Sequence, residues 1–274
     1  MKIVFRLIVL ILVLLPTTPL IAQPLDTVTH PEWREVFDKA GVRGTVVFKV
    51  LNGERRHVFN EERAQKRLIP ASTFKIIHSL IAYETGVVKT ADDLFKWDGK
   101  PQWLKAWEKD LTFKEAIKVS AVPVYKKIAK SIGPTKMKYW LDRLNYGNAN
   151  IDGGISNFWL SGGLRISVDE QVQLLEKLYK GQLDASIKGQ AFVRDILPVT
   201  KHKCFEIRGK TGLAFLKNKP HIGWWIGWAK AQQKVFFFAL NIDIKDKKQY
   251  GLRQSLVVSL LERPQLFKEK LCAS

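Results

Sequence analysis

The stretch PASTFKIIHSLIAYETG, residues 70–86, has the pattern of one helix. Pro70 restricts the entry to this helix, Ser72 or Thr73 can stand at its start, and Gly86 ends it. The apolar side chains that recur at helical spacing are Ile76, Ile77, Leu80 and Ile81. This spacing predicts a helix with one face turned toward a core.

The same helix carries a serine and a lysine three positions apart, in Ser72-Thr73-Phe74-Lys75. Residues at this spacing project from one helical face, which suits a nucleophile with a base one turn away. A serine hydroxyl is a weak nucleophile and needs a base to take its proton. Lysine can serve only when it is neutral or modified, which burial favours. Alone, the pattern is more often a capping serine followed by a surface lysine, but it occurs only once in this chain.

A second group, Lys210-Thr211-Gly212, is placed on the first of the three late strands, just past its strand-like run 203–208. A lysine and a hydroxyl side by side on an edge strand can hold a carboxylate, and the glycine lets a substrate approach the backbone closely. The ending Gly209-Lys210-Thr211 also suggests a phosphate loop. That loop needs a glycine at position 204, where this chain has Cys204, so the phosphate interpretation fails.

Strand-like runs lie at both ends of the chain, with a mostly helical stretch, 88–200, between them. Asn52-Gly53 follows the β-branched run 44–51 and predicts a hairpin in which both turn positions have φ > 0. A closing helix is predicted for 251–262. The three late strand-like runs are 203–208, 222–229 and 235–244.

This order predicts an α/β (α+β) fold, in which an antiparallel sheet built from both chain ends is flanked by helices and a helical lobe is inserted. Residues 23–274 are predicted to form a single domain. One lobe comprises 23–87 plus 201–274, the other comprises 88–200, and a site is expected between them. The loop 213–221 is expected to border that site.

Residues 1–22 have the three parts of a secretory signal peptide: a positive start, a short apolar run and small residues after Pro16. The apolar run is shorter than the roughly 20 residues that span a membrane. No other hydrophobic run reaches spanning length. The sequence therefore predicts export, for which we take the periplasm as the destination, with no membrane span after the leader is removed.

The composition is that of a globular protein, with 46% hydrophobic and 26% charged residues among 274. The net charge of +19 could indicate a nucleic-acid partner, but the lysines are scattered and form no long block, which favours a solvated basic surface and no nucleic acid. The two cysteines form no CxxC pair, and the five histidines lack zinc-ligand spacing. No metal is therefore expected.

The motifs Ser72-Thr73-Phe74-Lys75 and Lys210-Thr211-Gly212 together resemble those of the penicillin-recognising serine enzymes. The class A pattern Ser-Asp-Asn is absent. Three further motifs, in this order, are similar to those of the class D (oxacillinase-type) β-lactamases: Ser120-Ala121-Val122, Tyr146-Gly147-Asn148 and Phe158-Trp159-Leu160. The stretches FKWDG (95–99), VPVY (122–125), IGWWIGW (222–228) and LRQS (252–255) add to the resemblance, which covers about residues 30–263.

The resemblance implies a role for each motif. Ser72 would be the acylated nucleophile, and Lys75 would carry a carbamate formed from carbon dioxide, which would act as the general base. Ser120 would relay a proton to the departing nitrogen. The side chains expected to surround Lys75 and lower its pKa are Phe74, Val122, Trp159 and Leu160. The Trp159 indole N–H would bond the carbamate; the alternative is a purely structural core aromatic.

The same resemblance implies how substrate is held. Lys210, Thr211 and Arg253 would bind its carboxylate, with Gly212 beside them. The oxyanion hole would be the backbone N–H groups of Ser72 and Leu213. Arg253 could instead be a surface arginine at a helix start. Tyr146 and Asn148 are pocket candidates for which a turn-shaping role is favoured.

The function implied is periplasmic hydrolysis of the β-lactam amide, giving resistance to penicillins. A penicillin sensor that is acylated without turnover is the alternative, and a cell-wall peptidase is a third possibility. No prosthetic group is expected; carbon dioxide or bicarbonate would modify Lys75. The expected partner is a small β-lactam, and a monomer and a homodimer both remain open.

Overall fold

The computed structural model describes residues 26–203, 205–231 and 233–263. The predicted signal peptide, 1–22, lies outside the described residues, and so do Cys204 and Cys272. Within the described residues, no helix is both long enough and apolar enough to cross a membrane.

One seven-stranded sheet joins the two ends of the chain, in the order β1-β3-β2-β9-β8-β7-β6. The strands from the first end are β1 (Asp26–Thr29), β2 (Gly44–Val50) and β3 (Arg55–Phe59). Those from the second are β6 (Val199–Lys201), β7 (Glu206–Ala214), β8 (His221–Ala231) and β9 (Lys234–Ile244), while β4 (Leu94–Phe95) and β5 (Leu111–Thr112) form a separate pair. The predicted fold is confirmed, except that β1 runs parallel to β3.

The predicted hairpin between β2 and β3 is present, but its turn differs from the expected one. The strands pair in antiparallel register, with Lys49 opposite Arg56. Asn52 has a φ of 60°, whereas Gly53 has no positive φ. The prediction that both turn residues have φ > 0 is therefore wrong. The loop has four residues, 51–54, and the constraint of a two-residue turn does not apply to it.

Helices cover both faces of the sheet because its strands alternate their side chains between two cores. On one face lie α1 (Arg34–Lys39) and α9 (Leu252–Leu261), with Trp225 and Phe238 beneath them. On the other face, α7 (Val168–Lys180) packs against β2 and β9. Trp224, next to Trp225 in β8, points into this second core.

The stretch predicted as one helix over 70–86 has two parts. A 3₁₀ turn, Ala71–Phe74, leads directly into α3 (Lys75–Glu84). Ser72 therefore lies on the 3₁₀ turn and Lys75 is the first residue of α3. Every residue from Lys75 to Ala82 is buried, because α5 and α8 pack around α3. The prediction that α3 turns only one face toward a core is therefore wrong, because these residues are buried on every side of the helix.

Long loops separate the helices of 88–200. The helices besides α7 are α4 (Phe113–Lys118), α5 (Val122–Ile132), α6 (Pro134–Arg143) and α8 (Ile187–Ile196); α2 (Glu61–Gln65) precedes this stretch. From this part of the chain, α7 packs on the face of the sheet, and β6, at the end of the stretch, pairs with β7. The division into lobes at 88 and 200 stays a prediction.

Candidate active site

A cavity of about 740 Å³ opens between β7, the 3₁₀ turn of Ser72 and loops of the helical stretch. Its polar lining comes from Ser72, Ser120, Ser161, Thr211, Lys247 and Arg253. Its apolar lining comes from Trp103, Leu104, Trp107, Val122, Leu160, Leu213, Phe215 and Tyr250. The size and the largely apolar wall with a few convergent polar groups are typical of a small-molecule site.

Ser72 lines this cavity and faces Lys75, which is buried beside it and is not a lining residue. The Lys75 Nζ donates a hydrogen bond to the Ser72 Oγ over 2.8 Å. Lys75 is fully buried, and no ion pair among the described residues involves it. Burial, and secondly the positive charge of Lys210, hold the pKa of Lys75 well below its usual range. A neutral amine beside a serine hydroxyl is a competent base, or a competent acceptor of carbon dioxide.

Ser120 enters the cavity from the junction between α4 and α5. Its φ is 58°, a left-handed conformation that costs a non-glycine residue about 1–3 kcal/mol. The backbone holds it there, because the N–H groups of Ser120 and Ala121 donate to Ile117 and Ala116. Strain that the surrounding structure maintains in this way is typical of functional positions.

The aromatic side chains expected around Lys75 form a dry cluster behind it. Phe74 is fully buried and its ring lies 5.9 Å from that of Trp159. Trp159 is also fully buried, and among the described residues its indole Nε1 has no hydrogen-bond partner. An unpartnered buried donor is costly, so this atom fits an anionic group on Lys75, such as a carbamate.

The Lys-Thr-Gly segment lies on β7, beyond the reach of the short edge strand β6, which pairs only with residues 206–208. Lys210 is buried and its Nζ donates to the Thr211 carbonyl over 3.0 Å. Burial, and secondly Arg253, lower the pKa of Lys210 to about 7. Thr211 and Gly212 line the cavity, whereas Lys210 lies behind the wall.

Gly212 is explained by packing as well as by access. A Cβ at this position would lie 2.9 Å from the Pro70 carbonyl oxygen and 3.0 Å from Thr73 Cγ2. The glycine therefore lets β7 approach the 3₁₀ turn that carries Ser72. This close approach brings the two halves of the site together.

Arg253, at the start of α9, lines the cavity and is not merely a surface residue. Its Nη1 donates to the Gly212 carbonyl over 2.9 Å, and its Nε donates to the Tyr250 carbonyl over 2.7 Å. These two bonds fix the orientation of the guanidinium group and therefore of its remaining N–H donors. Arg253 thus places a cation beside Thr211 at one end of the cavity.

The side chain of Asn148 makes turn-shaping contacts. Its Oδ1 accepts the backbone N–H of Arg165 over 2.8 Å, and it lines a different cavity, with Arg67 and Glu170. These contacts agree with the turn-shaping role that the sequence favours for Asn148, and Asn148 does not line the active-site cavity. Tyr146 is buried against Phe74, at 5.2 Å between ring centres, and neither residue lines the cavity.

Sequence reasoning missed an aromatic pair across the cavity mouth. The rings of Trp103 and Phe215 meet perpendicularly at 5.5 Å, although the side chains are 62% and 50% exposed. Phe215 belongs to the loop 213–221, which was expected to border the site. The signal for Trp103 was its large apolar side chain directly after the polar stretch 98–102.

Comparison with known proteins agrees with this geometry. Residues 39–261 match the family model of the penicillin binding protein transpeptidase domain. The chain is 40% identical over 235 residues to β-lactamase OXA-10 of Pseudomonas aeruginosa, covering 85% of this chain and 88% of that one. It is 38% identical over 237 residues to β-lactamase OXA-48 of Klebsiella pneumoniae, covering 86% and 89%.

Solved structures give the same result. The crystal structure of FUS-1 (OXA-85), a class D β-lactamase from Fusobacterium nucleatum subsp. polymorphum, superposes with a TM-score of 0.83 at 38% identity, covering 87% of this chain and 99% of that one. A class D β-lactamase from Nostoc superposes with a TM-score of 0.80 at 32% identity, covering 84% and 96%.

Fold and site therefore define a penicillin-recognising serine enzyme. Within that group the chain belongs to the class D β-lactamases, and it is a hydrolase of the β-lactam ring. The predicted resemblance is confirmed at this level, and the sensor alternative is not favoured.

Proposed function

We propose that this enzyme opens the β-lactam amide through an acyl-Ser72 intermediate, with a carbamate on Lys75. The observation that carries the proposal is the complete burial of Lys75, 2.8 Å from the Ser72 hydroxyl and outside every ion pair of the described residues. Burial holds the pKa of this amine well below its usual range and so favours the neutral form, which is the form that adds carbon dioxide. The Trp159 Nε1, the Ser72 Oγ and the surrounding aromatic wall would hold the product.

When present, the carbamate supplies the general base for acylation and deacylation. Ser72 Oγ attacks the β-lactam carbonyl, and the N–H groups of Ser72 and Leu213 stabilise the oxyanion. The C–N bond then breaks, and Ser120 passes a proton to the departing nitrogen. A water molecule subsequently cleaves the acyl ester, which releases the ring-opened acid and restores Ser72.

Substrate binding depends on the opposite wall of the cavity. The carboxylate of a penicillin would lie beside Thr211 and Arg253, and it would draw a proton onto Lys210, whose pKa is depressed in the free protein. The apolar walls formed by Val122, Leu160 and Leu213 would bind the ring system and exclude water. This division places charge at one end and the reacting carbonyl at the other.

The proposed location is the periplasm, where an exported enzyme meets penicillins before they reach their cell-wall targets. The support is the leader pattern of residues 1–22. Expression of the full chain in a penicillin-sensitive Gram-negative host should raise the inhibitory concentration of penicillin. The Ser72→Ala chain should leave it unchanged.

A time course tests turnover directly. The mature enzyme is given a chromogenic β-lactam in thousand-fold molar excess, with bicarbonate present and Ser72→Ala as the control. We expect colour development until the substrate is exhausted. A burst of one equivalent followed by a stop would instead identify a sensor that is acylated without release.

A further inference from the structure

His78 is a buried residue beside the reactive pair that none of the roles above uses. It follows Lys75 by three positions on α3, so the two side chains occupy the same helical face. Both approach the ring of Tyr125: the Lys75 Nζ lies 5.1 Å from its centre and the His78 ring lies 5.2 Å from it. On its other sides the imidazole contacts Phe74 and Trp159, at 5.2 and 5.3 Å between ring centres.

This imidazole is fully buried, and neither of its nitrogens has a hydrogen-bond partner among the described residues. The indole Nε1 of Trp159, in ring contact with it, is also unpartnered. Three unpartnered nitrogens thus lie together in one dry cluster that also encloses Lys75. Buried polar atoms are almost always paired, so a cluster of this kind indicates a group that the amino acids alone do not supply.

A carbamate has two oxygens that accept several hydrogen bonds, and the Trp159 N–H can satisfy only one of them. It forms when the Lys75 nitrogen bonds to the carbon of carbon dioxide and releases one N–H proton to the buffer. A neutral imidazole always carries one N–H donor. Burial is the main cause that lowers the pKa of the His78 imidazole to about 3, so this ring stays neutral.

We infer that His78 is a second hydrogen-bond donor for the Lys75 carbamate and a positioning residue that sets how tightly carbon dioxide is held. The inference rests on the proposed function and deepens it. His78 touches neither the cavity nor substrate, so it acts only through Lys75. A leucine at this position would fill a similar volume without a donor, and an asparagine would restore an N–H.

The experiment starts from enzyme whose carbamate has been removed and titrates it with carbon-13 bicarbonate. NMR follows the carbamate signal, and the turnover of a chromogenic β-lactam is measured in parallel. The proteins are wild type, His78→Leu, His78→Asn and Lys75→Ala. Trp33→Phe is the matched control, because the Trp33 Nε1 is also buried and has no partner in the described part of the chain, but lies in the other core. Melting temperatures report folding.

We expect His78→Leu to need about ten-fold more bicarbonate for half occupancy, with a melting temperature equal to or above that of wild type. His78→Asn should recover most of the loss, and Trp33→Phe should titrate like wild type. A His78→Leu titration curve that superposes on that of wild type overturns the inference. The inference is also overturned if His78→Asn needs as much bicarbonate for half occupancy as His78→Leu does. If wild type shows no signal beyond Lys75→Ala, the carbamate itself is refuted and His78 loses its role with it.

Discussion

At the residue scale, the site depends on removing charged side chains from water. Lys75 and Lys210 are both buried, and the pKa of each is lowered mainly by that burial. The lowered pKa has a different consequence for each lysine. Lys75 has no counter-ion among the described residues, and burial favours its neutral form beside Ser72, whereas Lys210 lies behind a wall that an anionic substrate would reach. Burial thus makes a base of one lysine and a switchable cation of the other.

Trp159→Phe keeps the ring that packs on Phe74 and deletes the indole N–H. A hydrogen bond to a charged group contributes about 1.5–3 kcal/mol, so we expect roughly 10- to 100-fold weaker retention of carbon dioxide. Activity should fall at ambient bicarbonate and recover in part when bicarbonate is added. Trp97→Phe is the control, because that indole donates to the Lys100 carbonyl, outside the cavity. A Trp159→Phe enzyme with no bicarbonate response would contradict this role.

Lys210 should govern the alkaline limb of the pH profile. Its pKa is about 7, so in the free enzyme the ammonium is lost as pH rises through 7, and binding of a carboxylate weakens. We expect kcat/KM for a penicillin to decline above that pH. Lys210→Arg keeps a cation throughout and should flatten the decline. Profiles from pH 6 to 9.5 measure this, and superposed alkaline limbs in the two proteins would refute it.

At the element scale, the site exists because β7 runs past β6 and packs on the turn before α3. The resemblance to the penicillin-recognising enzymes implied that Ser72, Lys75 and the Lys-Thr-Gly segment would meet, and Ser72, Thr211 and Gly212 do line one cavity. For Asn148 the sequence favoured a turn-shaping role, and its amide bonds the surrounding loop. The Trp103–Phe215 contact was missed because it joins two loops far apart in sequence.

Gly212→Ala tests the contact between β7 and the 3₁₀ turn. The added methyl would meet backbone atoms of Pro70, which cannot move aside as a side chain could. Overpacking of this kind costs about 1–3 kcal/mol of unfolding free energy, so we expect a lower melting temperature. We also expect kcat to fall, and the loss in activation free energy to exceed the loss in unfolding free energy. Gly251→Ala, which has open space around the new Cβ, is the control. A Gly212→Ala enzyme with unchanged kcat would show that the contact is dispensable.

Trp103→Ala removes one side of the aromatic pair at the cavity mouth. Lost apolar contact with a bound side chain should raise KM for a β-lactam with an aromatic substituent about three- to tenfold, while kcat changes little. Ile187→Ala, an equally exposed apolar truncation on α8, should leave both constants unchanged. A fall in kcat at constant KM would mean that Trp103 acts on the chemistry instead of on binding.

At the scale of the whole molecule, the two cores on either face of the sheet have different roles. One core, under α1 and α9, is built from ordinary apolar packing, whereas the other encloses α3 and the buried polar groups of the site. Strand and helix patterns predicted the sheet and its flanking helices. They did not predict β1 or β6, because strands of three or four residues carry too little periodicity to stand out.

Burial of His78 should make the whole fold sensitive to acid. Its pKa is about 3 when folded and about 6.5 when unfolded, so below pH 6.5 the unfolded chain takes up a proton that the folded chain does not. Stability conferred by the neutral imidazole is therefore lost as pH falls from 6.5 toward 3, at up to about 1.4 kcal/mol per pH unit. Urea unfolding at pH 7, 5.5 and 4.5 should show a shallower loss for His78→Leu. Equal slopes in both proteins would contradict this.

The central claim is that the general base of this enzyme is a carbamate on Lys75. The most direct measurement removes carbon dioxide at mildly acid pH, returns the enzyme to pH 7.5 in stripped buffer, and follows turnover and the carbon-13 carbamate signal together as labelled bicarbonate is added. We predict that both are absent at the start and rise with one half-saturation concentration, and that Lys75→Ala gives neither. Full turnover in stripped buffer without any carbamate signal would contradict the account.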